Sequence, residues 1–468
     1  MGNANYAIRV SAFFAALFLI YGVHLPYLPV WLEWRGLGPT QIGIVTALPF
    51  FVRLVATPAV AFYADRHDKH ARTILGLMWV SLVAALVLAG VEGFWPILLA
   101  AVVMAVSFTT VMPLTETIAI GGVRRGMDYG RMRLWGSLTF IVASFVGGAA
   151  VDWAGPAAGI WLIVAGCAVT VLTAYVLPGQ SKSGAFSEEV DTGSSQNMRP
   201  NQKAEVFSEE VDTGSSQKMR PNQKVKALIR FHRVETRARH SRSRLSVRAQ
   251  VGALEPPPAP VQPKRGIDRA TVARLLTNPL FVTFLVAIGT VQAAHATFYT
   301  FGAIHWQAGG LTSAWVGTLW AIGVLTEVSL FAVSGWAVAV FGPVGLMLMG
   351  AGAAVVRWLA MSTDPTLAWL VPLQVLHGLT YGASHLGAIH FIGRAVPLTA
   401  SGTAQAFYAT IAMGVLQGAA VLLSGVLYKA YGGGAYLAMA GLAAIGLIAA
   451  LRLHRSWNGG ELWDVGDR

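Results

Sequence analysis

The sequence predicts an all-α membrane protein with twelve transmembrane helices in two six-helix bundles. Hydrophobic residues make up 55% of the 468 residues, charged residues only 12%, and the mean hydropathy is +0.57. A soluble domain carries roughly 25% charged residues. Apolar runs of 18 or more residues recur along the chain, and such a run can cross a ~30 Å hydrocarbon core as a helix.

The apolar runs fall into two groups of six, which predict helices 1–6 and helices 7–12, separated by a polar segment. We therefore predict an N-terminal bundle over 1–178, a linker over 179–270 and a C-terminal bundle over 271–468. The first six runs lie near 7–31, 40–63, 73–91, 95–121, 131–152 and 157–177, and the second six lie near 278–303, 312–338, 343–361, 367–391, 402–427 and 434–453.

The polar segment has a composition unlike the rest of the chain. It holds 17 of the 34 Lys and Arg residues and 10 of the 22 Asp and Glu residues, so the basic charge of the whole chain says little about nucleic acid, and we predict no nucleic-acid partner. Residues 186–203 return as 207–224, with 17 of 18 positions identical. Two copies without an apolar face predict a disordered basic cytoplasmic linker with a tandem repeat. The alternative is that its basic part binds anionic lipid head groups.

Lys and Arg concentrate in the short loops after helices 2 and 4, whereas the loops after the odd-numbered helices hold only Arg35 and Lys429. The positive-inside rule therefore places both termini in the cytoplasm of a cell (inner) membrane. Because Arg9 leads directly into a full-length span, we expect no cleaved signal peptide. The only cysteine, Cys167, excludes a disulfide within the chain and a cysteine-ligated metal cluster.

Ionisable side chains within spans are rare and usually face a water-filled cavity or one another. Glu116 precedes the end of helix 4 and Arg133 begins helix 5, so the two side chains can meet inside the bundle. From these positions alone, a substrate site, a lock between the helices, and an arginine reaching the head groups all stay open. The ionisable residues within spans are Arg53, Glu116, Arg133, Glu327, Arg357, His377, His385 and His390.

The stretch "RRGMDYGRMRLWGS", with Glu116 eight residues before its first arginine, resembles the helix 4–5 junction of the lactose permease branch of the major facilitator superfamily. The resemblance implies that Glu116 and Arg133 bind substrate. The first half is also similar to the phenylpropionate permease family in "YGVHLPYLPVWLEWRGLGPTQIGI", in Arg53 and in "ADRHDKHAR". In the last stretch, Asp65 and Arg66 would form a cytoplasmic gate.

Helix 10 extends this resemblance, because "LQVLHGLTYGASHLG" is similar to the segment that takes part in proton coupling in the same branch. The histidine corresponds to His377, and Thr380 stands where the lactose permease has an acid. Arg357 falls where the branch keeps an arginine in helix 9. Glu327 is the remaining acid in the second-half spans, so we predict it as the proton site, with His377 as its partner. His385 shares a helical stripe with His377, and we include it among the coupling residues.

The resemblance also bears on the substrate, because Phe140 replaces a tryptophan that stacks on a sugar in the lactose permease. We therefore predict a proton symporter of a small organic acid, for example an aromatic acid such as phenylpropionate. Its carboxylate would bind Arg133, Arg53 or Arg357. A drug or metabolite exporter and a sugar or nucleoside symporter stay open as alternatives. Phe13, Phe14 and Tyr21 are candidates for the ring-binding surface, and packing between helices is the alternative for each.

The chain carries none of the motifs typical of a membrane-embedded enzyme, such as G-x-S-x-G, H-E-x-x-H or a P-loop. We therefore predict no catalytic residues, no cofactor and no metal. The predicted partners are a small-molecule substrate, protons and the lipid bilayer. A monomer suffices for this architecture.

Overall fold

A computed structural model describes residues 3–179 and 269–463 of the chain. The predicted linker lies outside these residues except at its two edges. Within the described ranges, ten helical stretches are long and apolar enough to cross a membrane. One of them, Leu398–Ser456, contains helices 11 and 12, and helix 10 is divided by a π-helical turn. The twelve predicted spans are therefore present.

The first six helices are continuous and follow the predicted order. Four of the five short turns between them contain a glycine at positive φ, for example Gly36 and Gly126, each at φ 84°, and the turn between helices 2 and 3 has Asp68 at φ 50°. Helices 1–6 span Asn3–Trp34, Pro39–His67, His70–Gly90, Phe94–Val123, Tyr129–Ala154 and Ala157–Tyr175.

The second six helices contain more interruptions. Gly342 has φ 67° within Ser334–Met361, so helix 9 proper begins at Pro343, as proline at the first helical position favours. Helix 7 comprises Pro279–Ala293 and Ala296–Ala308, and helix 8 is Ser313–Ala332. Helix 10 comprises Leu367–Val375, a π turn at Gly378–Ala383, and Ser384–Ala395. Helix 11 comprises Leu398–Phe407, a π turn at Tyr408–Leu416, and Gln417–Tyr431, and helix 12 is Ala435–Ser456.

Helix 1 contains a proline whose missing N–H is compensated by helix 5. Pro26 cannot donate to the carbonyl of Gly22, four residues earlier. The hydroxyl of Ser144 on helix 5 donates to that carbonyl instead, at 3.0 Å. Gly22 also allows close approach, because a Cβ there would lie 2.7 Å from the Phe140 carbonyl oxygen. A freed backbone group within a membrane protein needs such a replacement partner.

This compensation predicts that Ser144→Ala destabilises the protein unless Pro26 is also replaced. The single variant leaves the buried Gly22 carbonyl unpaired, at a cost of about 1–3 kcal/mol. In Pro26→Ala, the restored backbone N–H can take over, so Ser144→Ala should cost less there. Thermal unfolding of the four variants in detergent measures the coupling. Equal losses with and without Pro26 would contradict the explanation.

The two halves contact one another mainly through helix 5 with helix 8, helix 2 with helix 11, and helix 1 with helix 7. The tightest contacts lie at the membrane side opposite the chain termini. There Asp152, near the end of helix 5, accepts hydrogen bonds from the Ser313 and Ala314 backbone N–H groups at 2.6 and 2.8 Å. A carboxylate at the start of helix 8 satisfies unpaired N–H groups and the helix dipole.

Tyr27 adds a second contact to this junction. Its hydroxyl lies 2.7 Å from the Ser144 carbonyl oxygen and 3.1 Å from that of Ser313. Gly148 and Gly317 let the backbones meet, since a Cβ on either residue would collide with the carbonyl of Ser313 or Ser144, respectively. We call the contacts that Tyr27, Gly148, Gly317 and Asp152 make, where helices 5 and 8 meet, the seal. Helix 2 and helix 11 touch at the same end through Gly43 and Gly425.

Candidate functional site

A cavity of about 160 Å³ lies between the two halves. Helices 1, 2 and 4 of the first half and helices 7 and 11 of the second half contribute to its wall. Most of the lining is apolar or aromatic, with a small number of polar groups, as is usual for a small-molecule site. The polar and aromatic lining residues used below are Tyr21, His24, Phe50, Arg53, Phe108, Tyr299 and Gln417.

Two arginines of the first half face aromatic rings in this central region. The Arg53 guanidinium lies 4.9 Å from the centroid of the Phe50 ring. Arg133 lies 4.1 Å from the Phe18 ring and 5.5 Å from the Phe14 ring. Stacking on aromatic faces stabilises a guanidinium while leaving its N–H donors free to bind an anion.

The position of Arg133 follows from the junction between helices 4 and 5. Helix 4 ends at Val123, the chain turns at Gly126, and the Asp128 side chain caps helix 5 by accepting from the Arg131 backbone N–H at 3.1 Å. Arg133 therefore lies in the first turns of helix 5, where its side chain points between the halves. Its charge acts on Glu116 in the first half and on Glu327 in the second.

Glu116 and Arg133 come close to one another, as predicted, but not into direct contact. Among the ion pairs of the described residues, no Glu116–Arg133 pair lies within 4.0 Å. Tyr129 interacts with both side chains. A partly accessible acid and base that are near but unpaired can both take part in binding a polar molecule.

The second half contains a buried cluster around Arg357, which is fully buried. Arg357 donates to Gln374 Oε1 at 2.8 Å, to Thr380 Oγ1 at 3.2 Å, and to His377 Nδ1 at 3.1 Å. Because His377 Nδ1 accepts, the neutral ring carries its proton on Nε2. That nitrogen lies 4.0 Å from Glu327 Oε2. The predicted residues Glu327, Arg357 and His377 thus lie together, and Thr380 bonds the arginine.

The predicted stripe on helix 10 is present. The rings of His377 and Tyr381 stack with centroids 5.6 Å apart, and those of Tyr381 and His385 with centroids 6.0 Å apart. His385 Nδ1 lies 2.7 Å from the Tyr408 hydroxyl on helix 11. A π turn occupies Gly378–Ala383, within this stripe, and such turns are frequent at functional sites.

The glycines of the same π turn bring helix 10 against helix 8. A Cβ on Gly378 would lie 3.0 Å from the Thr326 carbonyl oxygen, and one on Gly382 would lie 3.4 Å from the Glu327 side chain. Two small residues four positions apart thus let helices 10 and 8 pack closely. This packing holds Glu327 beside His377.

Sequence reasoning missed His295, which is fully buried on helix 7. Its Nε2 lies 3.1 Å from Thr380 Oγ1, so it joins the Arg357 cluster through the threonine. Its ring stacks on Tyr299 at 5.5 Å. A histidine within the apolar run of helix 7 was the available signal. Phe18, which contacts Arg133, carried no signal beyond its position on helix 1.

The remaining predicted residues lie at the edge of the site or away from it. Phe140 is buried against helix 1 and does not line the cavity. Asp65 and Arg66 are exposed, and the Asp65 carboxylate pairs with His70 at 2.7 Å. Of the ring-surface candidates, Tyr21 lines the cavity, whereas Phe13 and Phe14 are fully buried. No group of three or more His, Cys, Asp or Glu side chains among the described residues could hold a metal ion.

Two six-helix bundles around a charged, aromatic central site define a multi-pass membrane transporter of small molecules. The chain belongs to the MFS_1 like family, whose sequence profile matches residues 7–438. The family and its relatives are transporters, not enzymes. The predicted membership of the major facilitator superfamily is therefore confirmed.

The relatives and solved structures agree with this assignment. The chain is 27% identical to the "Probable 3-phenylpropionic acid transporter" of Escherichia coli (strain K12), covering 90% of this chain and 91% of that protein. It is 25% identical to the maltose permease of Geobacillus stearothermophilus, covering 94% and 93%. The crystal structure of nucleoside transporter NupG shares the fold at 14% identity, with a TM-score of 0.69 and coverage of 97% and 100%.

Proposed function

We propose that the protein is a proton-coupled symporter that imports a small organic acid, in particular an aromatic acid such as 3-phenylpropionate, by alternating access. The central observation is that the guanidinium groups of Arg53 and Arg133 lie against aromatic rings. A carboxylate suits these groups, because arginine binds carboxylates bidentately. An aromatic ring suits Phe108, Tyr21 and the apolar lining of the cavity. The likeness to a 3-phenylpropionic acid transporter supports the same class of substrate.

Glu327 is the proposed proton site. Its carboxylate is shielded within the protein, near His377 in the second half and under the influence of Arg133 from the first half. A carboxylate that is desolvated in one conformation and paired in another can take up and release a proton. Because the bundles move relative to one another in transport, the influence of Arg133 on Glu327 changes with conformation. Arg357 would fix the orientation of His377 through its bond to Nδ1.

We further propose an inner-membrane orientation with both termini in the cytoplasm, and a monomer as the working unit. The basic loops after helices 2 and 4 support this orientation. In this orientation the seal lies on the outer side, so the conformation described above faces inward. Asp65 and Arg66 would close the inner side only in the other conformation, which accords with their exposure here. The bundles at 1–178 and 271–468 would move as units, joined by the linker at 179–270.

Glu327→Gln tests the coupling, because glutamine keeps the size of the side chain and cannot carry the proton. In proteoliposomes, accumulation of 3-phenylpropionate driven by an acidic exterior should fall by at least about tenfold, the effect of losing ~1.4 kcal/mol. Exchange of labelled for unlabelled substrate, which needs no net proton movement, should persist. The matched control is Glu92→Gln, since the Glu92 side chain is 85% exposed. Accumulation at the wild-type level in Glu327→Gln would contradict the assignment.

A sugar symporter is the second candidate, because one relative is a maltose permease. A sugar needs several hydroxyl-binding groups around an aromatic platform. The cavity lining is mainly apolar and aromatic, and its guanidinium, Arg53, suits a carboxylate better than a neutral hydroxyl. Labelled maltose in the same proteoliposomes separates the candidates, and saturable uptake of maltose without uptake of the acid would favour the sugar.

A further inference from the structure

Two polar side chains that line the cavity have nitrogen atoms without a hydrogen-bond partner. Neither ring nitrogen of His24 on helix 1 has a partner, and the same holds for Nε2 of Gln417 on helix 11. All three atoms are shielded from solvent. Unpaired polar atoms inside a protein are costly, and each one calls for an explanation. Here, side chains from opposite halves bring such atoms to one cavity.

The two polar side chains are separate from the arginine end of the cavity. Arg53 interacts with Tyr21, whereas His24 lies about one turn, roughly 5 Å, further along helix 1. Phe108 contacts both Tyr21 and His24, and its ring centroid lies 5.0 Å from the centroid of each of these rings. The wall between Tyr21 and His24 is therefore aromatic, and the helical rise between these two residues, roughly 5 Å, is comparable with the length of a phenyl ring.

The chemistry of the two side chains defines what would bind them. A neutral imidazole offers one donor and one acceptor, and the carboxamide nitrogen of Gln417 offers a donor. A phenolic hydroxyl both donates and accepts, so it can pair with His24 and Gln417 together. An unsubstituted ring would leave these atoms unpaired on binding.

We propose that His24 and Gln417 form a subsite for a hydroxyl group on the ring of the transported acid. The carrier accordingly prefers a hydroxyaryl acid to the unsubstituted aryl acid. The substrate carboxylate binds at Arg53, the ring lies along Phe108, and the ring hydroxyl reaches His24 and Gln417. This inference rests on the proposed function and specifies which aromatic acid the site selects.

Displacement of radiolabelled 3-phenylpropionate from the purified full-length protein tests the preference. We expect a 3-(hydroxyphenyl)propionate, with the hydroxyl at ring position 3 or 4, to displace the label at a concentration roughly tenfold lower than 3-phenylpropionate itself, as one added hydrogen bond allows. In His24→Phe and in Gln417→Leu this advantage should disappear, so that the hydroxylated and unsubstituted acids displace the label at similar concentrations. The matched control is His390→Phe, because His390 is exposed on helix 10 and away from the cavity.

The outcomes separate this inference from the proposed function. Equal displacement by the hydroxylated and unsubstituted acids in the wild type would overturn the subsite and leave the acid transporter intact. Absence of saturable 3-phenylpropionate binding to the wild type would overturn both. His24→Gln provides a second variant that retains hydrogen-bonding groups. Loss of both acids alike in His24→Phe and His24→Gln would show a packing role and would overturn the subsite.

Discussion

Arg133→Gln abolishes transport of the acid, with a loss of about a hundredfold or more in the rate of uptake at low substrate concentration. Arg133 is the cation whose charge acts on acids in both halves, Glu116 and Glu327. Glutamine removes this charge and the stacking on Phe18. Losing charge-assisted interactions with these two carboxylates costs about 3 kcal/mol, which corresponds to this factor.

The control for this variant lies two residues away at the same helix start. Arg131 is 87% exposed and pairs only weakly with Asp128, at 3.7 Å. Arg131→Gln removes the same charge from the same junction, so it should leave uptake within about twofold of wild type, as expected for an exposed ion pair. Initial rates of labelled 3-phenylpropionate uptake compare the two. Similar losses of uptake in Arg131→Gln and Arg133→Gln would show that the effect comes from the junction between helices 4 and 5 and not from the central site.

Gly148→Ala opens the seal and exposes the cavity to the side opposite the termini. The added methyl group would collide with the Ser313 carbonyl, so helix 5 and helix 8 cannot keep their present distance. Overpacking of this kind costs about 1–3 kcal/mol. Because the cost arises only while the seal is closed, it shifts the population toward the outward-open state by about tenfold or more.

Thiol labelling measures this shift. In a Cys167→Ser background, a cysteine replacing Thr46, which lines the cavity, reports access from the seal side. An impermeant maleimide added to that side should react faster in Gly148→Ala than in its parent. Gly352→Ala serves as the control, because a Cβ at Gly352 meets no atom within 4 Å. An unchanged labelling rate would mean that the Gly148 contact does not maintain the closed seal.

The fold could be predicted because membrane spans depend on composition over many residues. Apolar runs of 18 or more residues predicted all twelve helices, although the boundaries differ by several residues, as at Asn3–Trp34 compared with 7–31. The breaks within helices could not be predicted in the same way. The π turns at Gly378–Ala383 and Tyr408–Leu416 depend on packing against neighbouring helices rather than on a local pattern.

The site could be predicted in part, and mainly where residues share a helix or carry a family motif. The stripe from His377 to His385 followed from helical spacing, and Glu327 followed from being a lone acid in its half. Arg133 acts on both halves, which requires knowledge of how the bundles meet. His24 and His295 were missed because a single histidine in an apolar run is more often a satisfied core residue. Only their surroundings distinguish them, because the His295 ring is hydrogen-bonded to Thr380 and the His24 ring has no hydrogen-bond partner.

The structure also links the site to the conformational change. Helices 5 and 8 form the seal with Asp152 and Ser313, and the same two helices carry Arg133 and Glu327 toward the centre. Separation of these helices at the seal therefore changes the environment of the proposed proton site. This arrangement supports a coupling in which proton binding at Glu327 and closure of the seal depend on one another.

The most direct test of the central claim is proton movement driven by the substrate. Proteoliposomes without an imposed pH gradient are given 3-phenylpropionate outside, and the external pH is recorded. Because an aromatic acid also crosses lipid unaided, the rate is compared with liposomes that contain Arg133→Gln. We predict that the wild type alkalinises the medium faster than Arg133→Gln. Glu327→Gln should alkalinise it no faster than Arg133→Gln. Equal rates of alkalinisation in the wild type and Arg133→Gln, with labelled acid entering the wild-type liposomes faster, would contradict proton symport.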